Sequence, residues 1–444
     1  MKRFFFCLLL VLVICLSPLH SWAIKEETFT LSNGLKVILV EEHKTPVVTS
    51  QVWYRVGSRY EVPGWTGLSH LLEHMMFKGT PKYGKGDFSR IVAKNGGTEN
   101  AFTGQDYTAY FENLSSDRIG LSLELESDRM VNLLMDPKEF DLEREVVKEE
   151  RRLRTEDDPK SYLIEQMYLV TFLTHPYRFP VIGWMEDINR LTPEDALRHY
   201  RTYYRPNNAT LVVVGDIEPK ALLPKIKEYF EKIPRGSDPP PPISYEPAQK
   251  GERRIVIKRE AQLPFVFLGY HVPNYPNPDA YPLKVLATIL SAGKSSRLYQ
   301  SLVYEKKIAL DTGGEYDPMT ADPELFYFYG MTQPGQTLEA LEKGLYEVIE
   351  RLKNQPVSDK ELQKAKNQLE AEFIFSQDSN FYQAMQIGTA ETIGAGVGYL
   401  ENYVDHIRKV TAQDVMRVAK KYLYEDNRTV GILIPLKPEA QVKD

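Results

Sequence analysis

A long-range repeat constrains this chain more than any single motif. Leu191-Thr192-Pro193-Glu194-Asp195 leads to Tyr203, Asn208 and Thr210, while Val410-Thr411-Ala412-Gln413-Asp414 leads to Tyr422, Asn427 and Thr429, each matched pair offset by 219 residues. Each copy reads as a helix capped by Thr, then a turn, then an apolar strand, Leu211 to Val214 in one and Val430 to Ile434 in the other. Between the copies, Ile233 to Gly251 holds Pro234, Gly236 and the run Pro239 to Pro242, a composition that favours an extended tether over helix or sheet. At 444 residues the chain also exceeds what one core usually organises. A duplicated α+β domain accounts for all three observations.

The expected division is a leader at 1–23, a first domain at 24–232, a linker at 233–251 and a second domain at 252–444. Lys2 and Arg3 precede an apolar run from Phe4 to Leu16, and Ser21-Trp22-Ala23 supplies a small-x-small cleavage site, the pattern of a signal peptide. That run is short for a membrane span. Export predicts a periplasmic or secreted protein with no membrane attachment once the leader is removed. Both cysteines, Cys7 and Cys15, lie in the leader, so the mature chain has no disulfide and no thiolate metal site. A metal there must use His, Asp or Glu. Without Lys2 and Arg3, 53 basic residues face 61 acidic ones with no long block of one sign, which argues against a nucleic-acid binder.

In the first half, Thr28 to Glu42 alternates around Asn33-Gly34, a hairpin signature, and Val47 to Val56 reads as another strand. Helical periodicity then runs through 66–78, 116–135 and 137–153. The second half shows strands near Arg254–Ile257 and Phe265–His271 and helices near 281–290, 337–353 and 358–375. The predicted fold class is α+β: two homologous domains, each a mostly antiparallel sheet covered by helices, together enclosing a cavity.

Thr66 is positioned to cap a short helix ending near Gly79, in which Leu68, Leu71, Leu72, Met75 and Met76 form an apolar face. His70, Glu73 and His74 share another face. Two imidazoles four residues apart on a helix point the same way, so both can reach one ion, with Glu73 beside them. A catalytic zinc needs a third protein ligand and an open position for water. The next helix, begun by Asp136-Pro137 with Glu139 completing a capping box, offers Glu143, Glu145, Glu149 and Glu150. With Val146 and Val147 as its buried side, helical phase brings Glu143 and Glu150 onto that side and turns Glu145 and Glu149 away. Carboxylates on an apolar face are costly unless paired or bound to metal. One of the two is then the ligand and the other orients a ligand or the water. His43, His175, His199, His271 and His406 have no partner at metal-binding spacing.

His70-Leu71-Leu72-Glu73-His74, the downstream run Glu143 to Glu150, and Gly96-Gly97-Thr98-Glu99-Asn100-Ala101-Phe102-Thr103 with Asp106, Thr108 and Tyr110 together resemble the pitrilysin–insulinase family of inverted-motif zinc metallopeptidases, in its processing-peptidase-like branch. The resemblance covers essentially the whole mature chain. It implies zinc on His70, His74 and Glu150, Glu73 as general base and Glu143 in support. It also implies that the strand around Asn100 and Ala101 is a sheet edge to which an extended peptide adds. The activity implied is endopeptidic hydrolysis of unfolded or extended peptides, and the alternative is a catalytically silent structural or peptide-binding subunit. An intact His70, Glu73, His74 and Glu150 oppose that alternative. Family members that complete the site from the second half carry an Arg and a Tyr after a Ser-Arg-Leu-Tyr helix. Here Ser296-Arg297-Leu298-Tyr299 precedes Val303 and Leu310 at those two positions. The resemblance therefore implies a heterodimer with a homologous subunit lacking the metal motif. The alternative is a homodimer completed by Arg297 or by Tyr299, Tyr304 or Tyr316.

Overall fold

The computed structural model describes residues 26–436, so the predicted leader lies outside the described residues. The first sheet contains β1 (Glu26–Thr30), β2 (Lys36–Glu41), β3 (Val47–Tyr54), β4 (Thr98–Thr103), β5 (Thr108–Ser115) and β6 (Ala209–Gly215), in the order β1-β2-β6-β3-β5-β4. The second contains β7 (Arg253–Glu260), β8 (Phe265–Val272), β9 (Ala309–Glu315), β10 (Glu324–Thr332) and β11 (Arg428–Leu436), in the order β7-β11-β8-β10-β9. Only β2 with β6 and β7 with β11 pair in parallel among the described strands. Apart from β1, the two sheets have one topology, and the fold is the α+β duplication expected.

The repeat is visible atom by atom. Thr192 with Asp195, and Thr411 with Asp414, each close a reciprocal capping box. Asn208 Nδ2 donates to the Tyr203 carbonyl at 2.9 Å, and Asn427 Nδ2 donates to that of Tyr422 at 2.8 Å. Each Asn thus ties the helix end to the next strand. Each cap contributes on the order of 1 kcal/mol.

The helices of eight residues or more are α1 (Leu68–Met75), α2 (Asp87–Lys94), α3 (Ile119–Asn132), α4 (Pro137–Arg151), α5 (Pro159–Thr171), α6 (Pro193–Tyr203), α7 (Pro219–Phe230), α8 (Ala280–Ser291), α9 (Leu338–Asn354), α10 (Asp359–Ser376), α11 (Asn380–Ile393), α12 (Val397–Lys409) and α13 (Ala412–Tyr422). One face of the first sheet packs on α1, α3, α6 and α7 around Val37, Leu39, Val52, Leu123, Tyr200 and Ile226. One face of the second packs on α8, α9 and α13 around Val266, Leu268, Leu286, Leu345 and Val418.

The opposite faces are covered reciprocally. Helix α11, from the second half, lays Ala384, Ile387 and Ala390 on Ile38, Val40, Trp53, Val212 and Val214 of the first sheet. Helix α5, from the first half, lays Leu163 and Met167 on Phe265, Phe267 and Leu433 of the second. Burial on both faces explains why Leu211 to Val214 is unbroken apolar sequence rather than an alternating pattern. The approach of α11 is close: a Cβ on Gly388 would stand 2.0 Å from Trp53 Cε2. Residues 234–250 form neither helix nor strand.

Three local expectations are corrected. The helix predicted over 66–78 is α1, Leu68–Met75, and Thr66 does not cap it, because its hydroxyl donates to Asp187 at 2.7 Å. Asp136 does cap α4, but Glu139 reaches Lys85 instead of closing a box. Val146 is 48% exposed, so the buried stripe of α4 is Phe140, Val147 and Arg151. Glu143 and Glu150 flank that stripe, each three residues after one of its apolar members.

Candidate metal centre

Helix α1 is fixed along its apolar face and at its N-terminus. Its apolar residues Leu68, Leu71, Leu72 and Met75 are buried in the first core, which aims His70, Glu73 and His74 the other way. Gly67, at its N-terminus, has φ 83°, and a Cβ there would meet the Ile182 carbonyl at 2.5 Å. Only glycine allows that contact. The carboxylate of Glu61 accepts the N–H groups of Gly67 and Ser69, both at 2.7 Å, and so satisfies the helix start from outside the helix.

The structure brings His70, His74 and Glu150 together. Glu150 Oε2 lies 3.5 Å from His74 Nε2 and 3.8 Å from His70 Nε2, and one potential ligand atom from each residue falls within 4.8 Å of the others. Ligand atoms set tetrahedrally about 2.0–2.2 Å from a zinc ion stand roughly 3.4 Å apart. The trio therefore fits one such ion with small closing movements. His70 adds a chemical argument: its Nδ1 is buried without a hydrogen-bond partner, and burial lowers its pKa to about 4. A neutral buried imidazole with one nitrogen facing a carboxylate is set up to be a ligand.

The surrounding groups orient this trio. Glu143 Oε2 takes His74 Nδ1–H at 3.2 Å, and Lys78 pairs with the same carboxylate. That leaves His74 Nε2 toward Glu150. Burial works against protonation of His74, yet its hydrogen bonds to Glu143 and Glu150 prevail and raise its pKa to about 9. Glu73 stands in the same cavity with its carboxylate accepting from the Thr103 hydroxyl, and burial pushes its pKa above the ordinary carboxylate range. Glu145 and Glu149 point outward, to Lys148 and Arg152.

These residues line a cavity of about 810 Å³ between the two halves, which also receives Asn100 and Ala101 from β4, Tyr168 from α5, Tyr177, and Glu324 from β10. Strand β4 ends the first sheet, so Asn100 and Ala101 lie on an edge strand. Val303 and Leu310 are not among the lining residues. Arg297 is engaged with Glu361 at 2.7 Å through two nitrogens, the Tyr316 hydroxyl donates to the Pro273 carbonyl, and neither residue lines this cavity. Sequence reasoning missed Glu61, whose partners are set by tertiary structure, and Arg154, which lies 2.6 Å from Glu150 Oε1. Their spacing of four residues was a readable signal for that pair.

Residues 36–183 match the family described as Insulinase (Peptidase family M16), and residues 190–369 match the Peptidase M16 inactive domain. The chain belongs to this insulinase family of peptidases. Among its relatives is the zinc protease PqqE of Helicobacter pylori, 34% identical over 94% of this chain and 94% of that protein. An uncharacterized zinc protease of Streptomyces coelicolor is 28% identical over 92% of this chain and 89% of its own length. The crystal structure of a protease from Helicobacter pylori superposes with a TM-score of 0.90 at 34% identity, covering 93% of this chain and 100% of that one. The first half of the periplasmic protease PqqL of Escherichia coli shares the fold, with a TM-score of 0.76 at 19% identity, 94% of this chain and 95% of that half being covered. The metal trio lies wholly within the first matched segment.

Proposed function

We propose that this chain is a zinc-dependent endopeptidase that hydrolyses unfolded or extended peptides. The observation that carries the reading is the convergence of His70, His74 and Glu150 in a cavity that Glu73 also faces. Zinc held there would supply Lewis acidity, acidifying a water and polarising the scissile carbonyl. Glu73 takes the proton of the attacking water and returns it to the leaving amine, a task suited to a carboxylate whose pKa burial has raised. Glu143 keeps the proton of His74 on Nδ1. The edge of β4 at Asn100 and Ala101 receives the peptide as an added strand, so main-chain pairing tolerates many sequences while requiring an extended substrate. Relatives described as zinc proteases support the same chemistry.

Two parts of the reading rest on residues rather than on this geometry. A signal peptide at 1–23, read from its charged start, apolar run and small-x-small site, would send the mature protein to the periplasm or outside the cell. Val303 and Leu310, where the family resemblance implies Arg and Tyr, point to a homologous second chain that contributes those groups to the shared chamber. Contacts that hold substrate against the reacting centre raise turnover, so the chain alone is expected to be slow.

The test is hydrolysis of a mixed peptide library by the purified chain, before and after chelation and after zinc is restored, alone and with a co-expressed homologue. Loss and recovery of cleavage with the metal support the reading. Cleavage indifferent to chelation overturns the zinc chemistry, and full activity as a lone species overturns the partner.

A further inference from the structure

The two oxygens of the Glu150 carboxylate face different neighbours. Oε2 faces the two imidazoles, whereas Oε1 lies 2.6 Å from Arg154 Nη1. The Glu145–Lys148 and Glu149–Arg152 pairs on this helix point outside the cavity, with Glu145 60% and Glu149 59% exposed, whereas Glu150 is 17% exposed and lines the cavity with Arg154. The backbone is built to hold this arrangement. Arg151 is buried and grips Glu165 through two nitrogens at 2.8 and 3.0 Å and the Gly183 carbonyl at 2.8 Å, which pins the last turn of α4. Directly after it, Arg152–Glu156 opens into a π-helical turn that carries Arg154 over Glu150. Such turns recur at functional sites.

We propose that Arg154 is a positioning residue that holds Glu150 with Oε2 turned toward His70 and His74, and so sets the affinity of the centre for its metal. The inference rests on the zinc reading above. Two effects of the guanidinium oppose each other. Its charge repels a bound cation, but Arg154 is 74% exposed and that repulsion is screened. Its grip on the ligand carboxylate fixes orientation, and removing such a partner typically weakens metal binding about 10- to 100-fold. Orientation therefore wins. Arg154 itself is 74% exposed and makes no other ion pair among the described residues, so its loss leaves the fold in place.

The experiment is zinc titration of the metal-stripped full chain against a chromophoric competing chelator, for the unsubstituted protein, Arg154→Ala, Arg154→Lys, Arg152→Ala and Glu150→Gln. Arg154→Ala is expected to lose about 10- to 100-fold in affinity. Arg154→Lys should recover part of the loss, and Arg152→Ala should match the unsubstituted protein. Arg154→Ala binding as tightly as the unsubstituted protein, or more tightly, while Glu150→Gln loses the metal, overturns the positioning role alone. Failure of the unsubstituted chain to bind zinc overturns both this role and the proposed function.

Discussion

The two halves of this molecule share a sheet topology but differ in the first α-helix after a matched pair of strands, β3 in one and β8 in the other. After β3 the chain forms α1, whose apolar face is buried and whose other face carries His70, Glu73 and His74. After β8 it forms α8, in which Ala280, Leu283, Val285, Leu286, Ala287, Ile289 and Leu290 are buried and no His, Asp or Glu occurs. One copy of the fold gathers the candidate metal ligands, and the other buries the matching helix among apolar side chains. The halves remain interdependent, because α5 and α11 each complete the core of the other copy and the cavity between them draws residues from both.

The largest effect that sharpens this contrast is expected at the first-half helix. His70→Ala or His74→Ala should abolish both metal binding and hydrolysis, measured by metal analysis and peptide cleavage, while Arg297→Ala leaves the metal content unchanged. The next effect is on pH. His74 Nε2 must be free of its proton to bind metal, and its pKa in the metal-free protein is about 9. Below that value a proton competes, so apparent zinc affinity should fall about tenfold per pH unit as pH drops, or roughly 100-fold over two units. Titrations across pH 6 to 9 check this, and a flat profile would contradict the raised pKa of His74.

A smaller effect tests the interdependence of the halves. Ile387→Ala deletes second-half side-chain volume from a first-half core and should destabilise the chain by about 2–5 kcal/mol. Because each core borrows a helix, unfolding monitored by probes in the two halves should shift together. Separate transitions, with only one moved, would make the halves independent units. Smallest of all, Glu149→Gln should change zinc affinity less than about twofold, since the side chain points to Arg152 and away from the cavity.

The repeat was legible because capping and turn chemistry are local: Thr192, Asp195 and Asn208 carry their roles in their spacing, and so do Thr411, Asp414 and Asn427. The pairing of Glu143 and Glu150 with one face of α4 was also legible, although through a stripe that wrongly included Val146. What sequence periodicity did not reveal is the exchange of α5 and α11. Each is buried against the other half, and sequence reading assigned a helix to neither segment. The anchoring of α1 by Glu61 was equally hidden, since a carboxylate outside a helix takes the place of the expected Thr66 cap. Tertiary partners decide such positions, and a single chain does not display them.

The most direct measurement of the central claim is made on one preparation of Glu73→Gln, by metal analysis and peptide hydrolysis together. Glu73 is assigned to the proton of water and not to the metal, so the variant should carry the same zinc content as the unsubstituted chain while hydrolysis falls by about 10²- to 10⁴-fold. A folded Glu73→Gln protein that has lost its metal, or that retains full hydrolysis, would contradict the account.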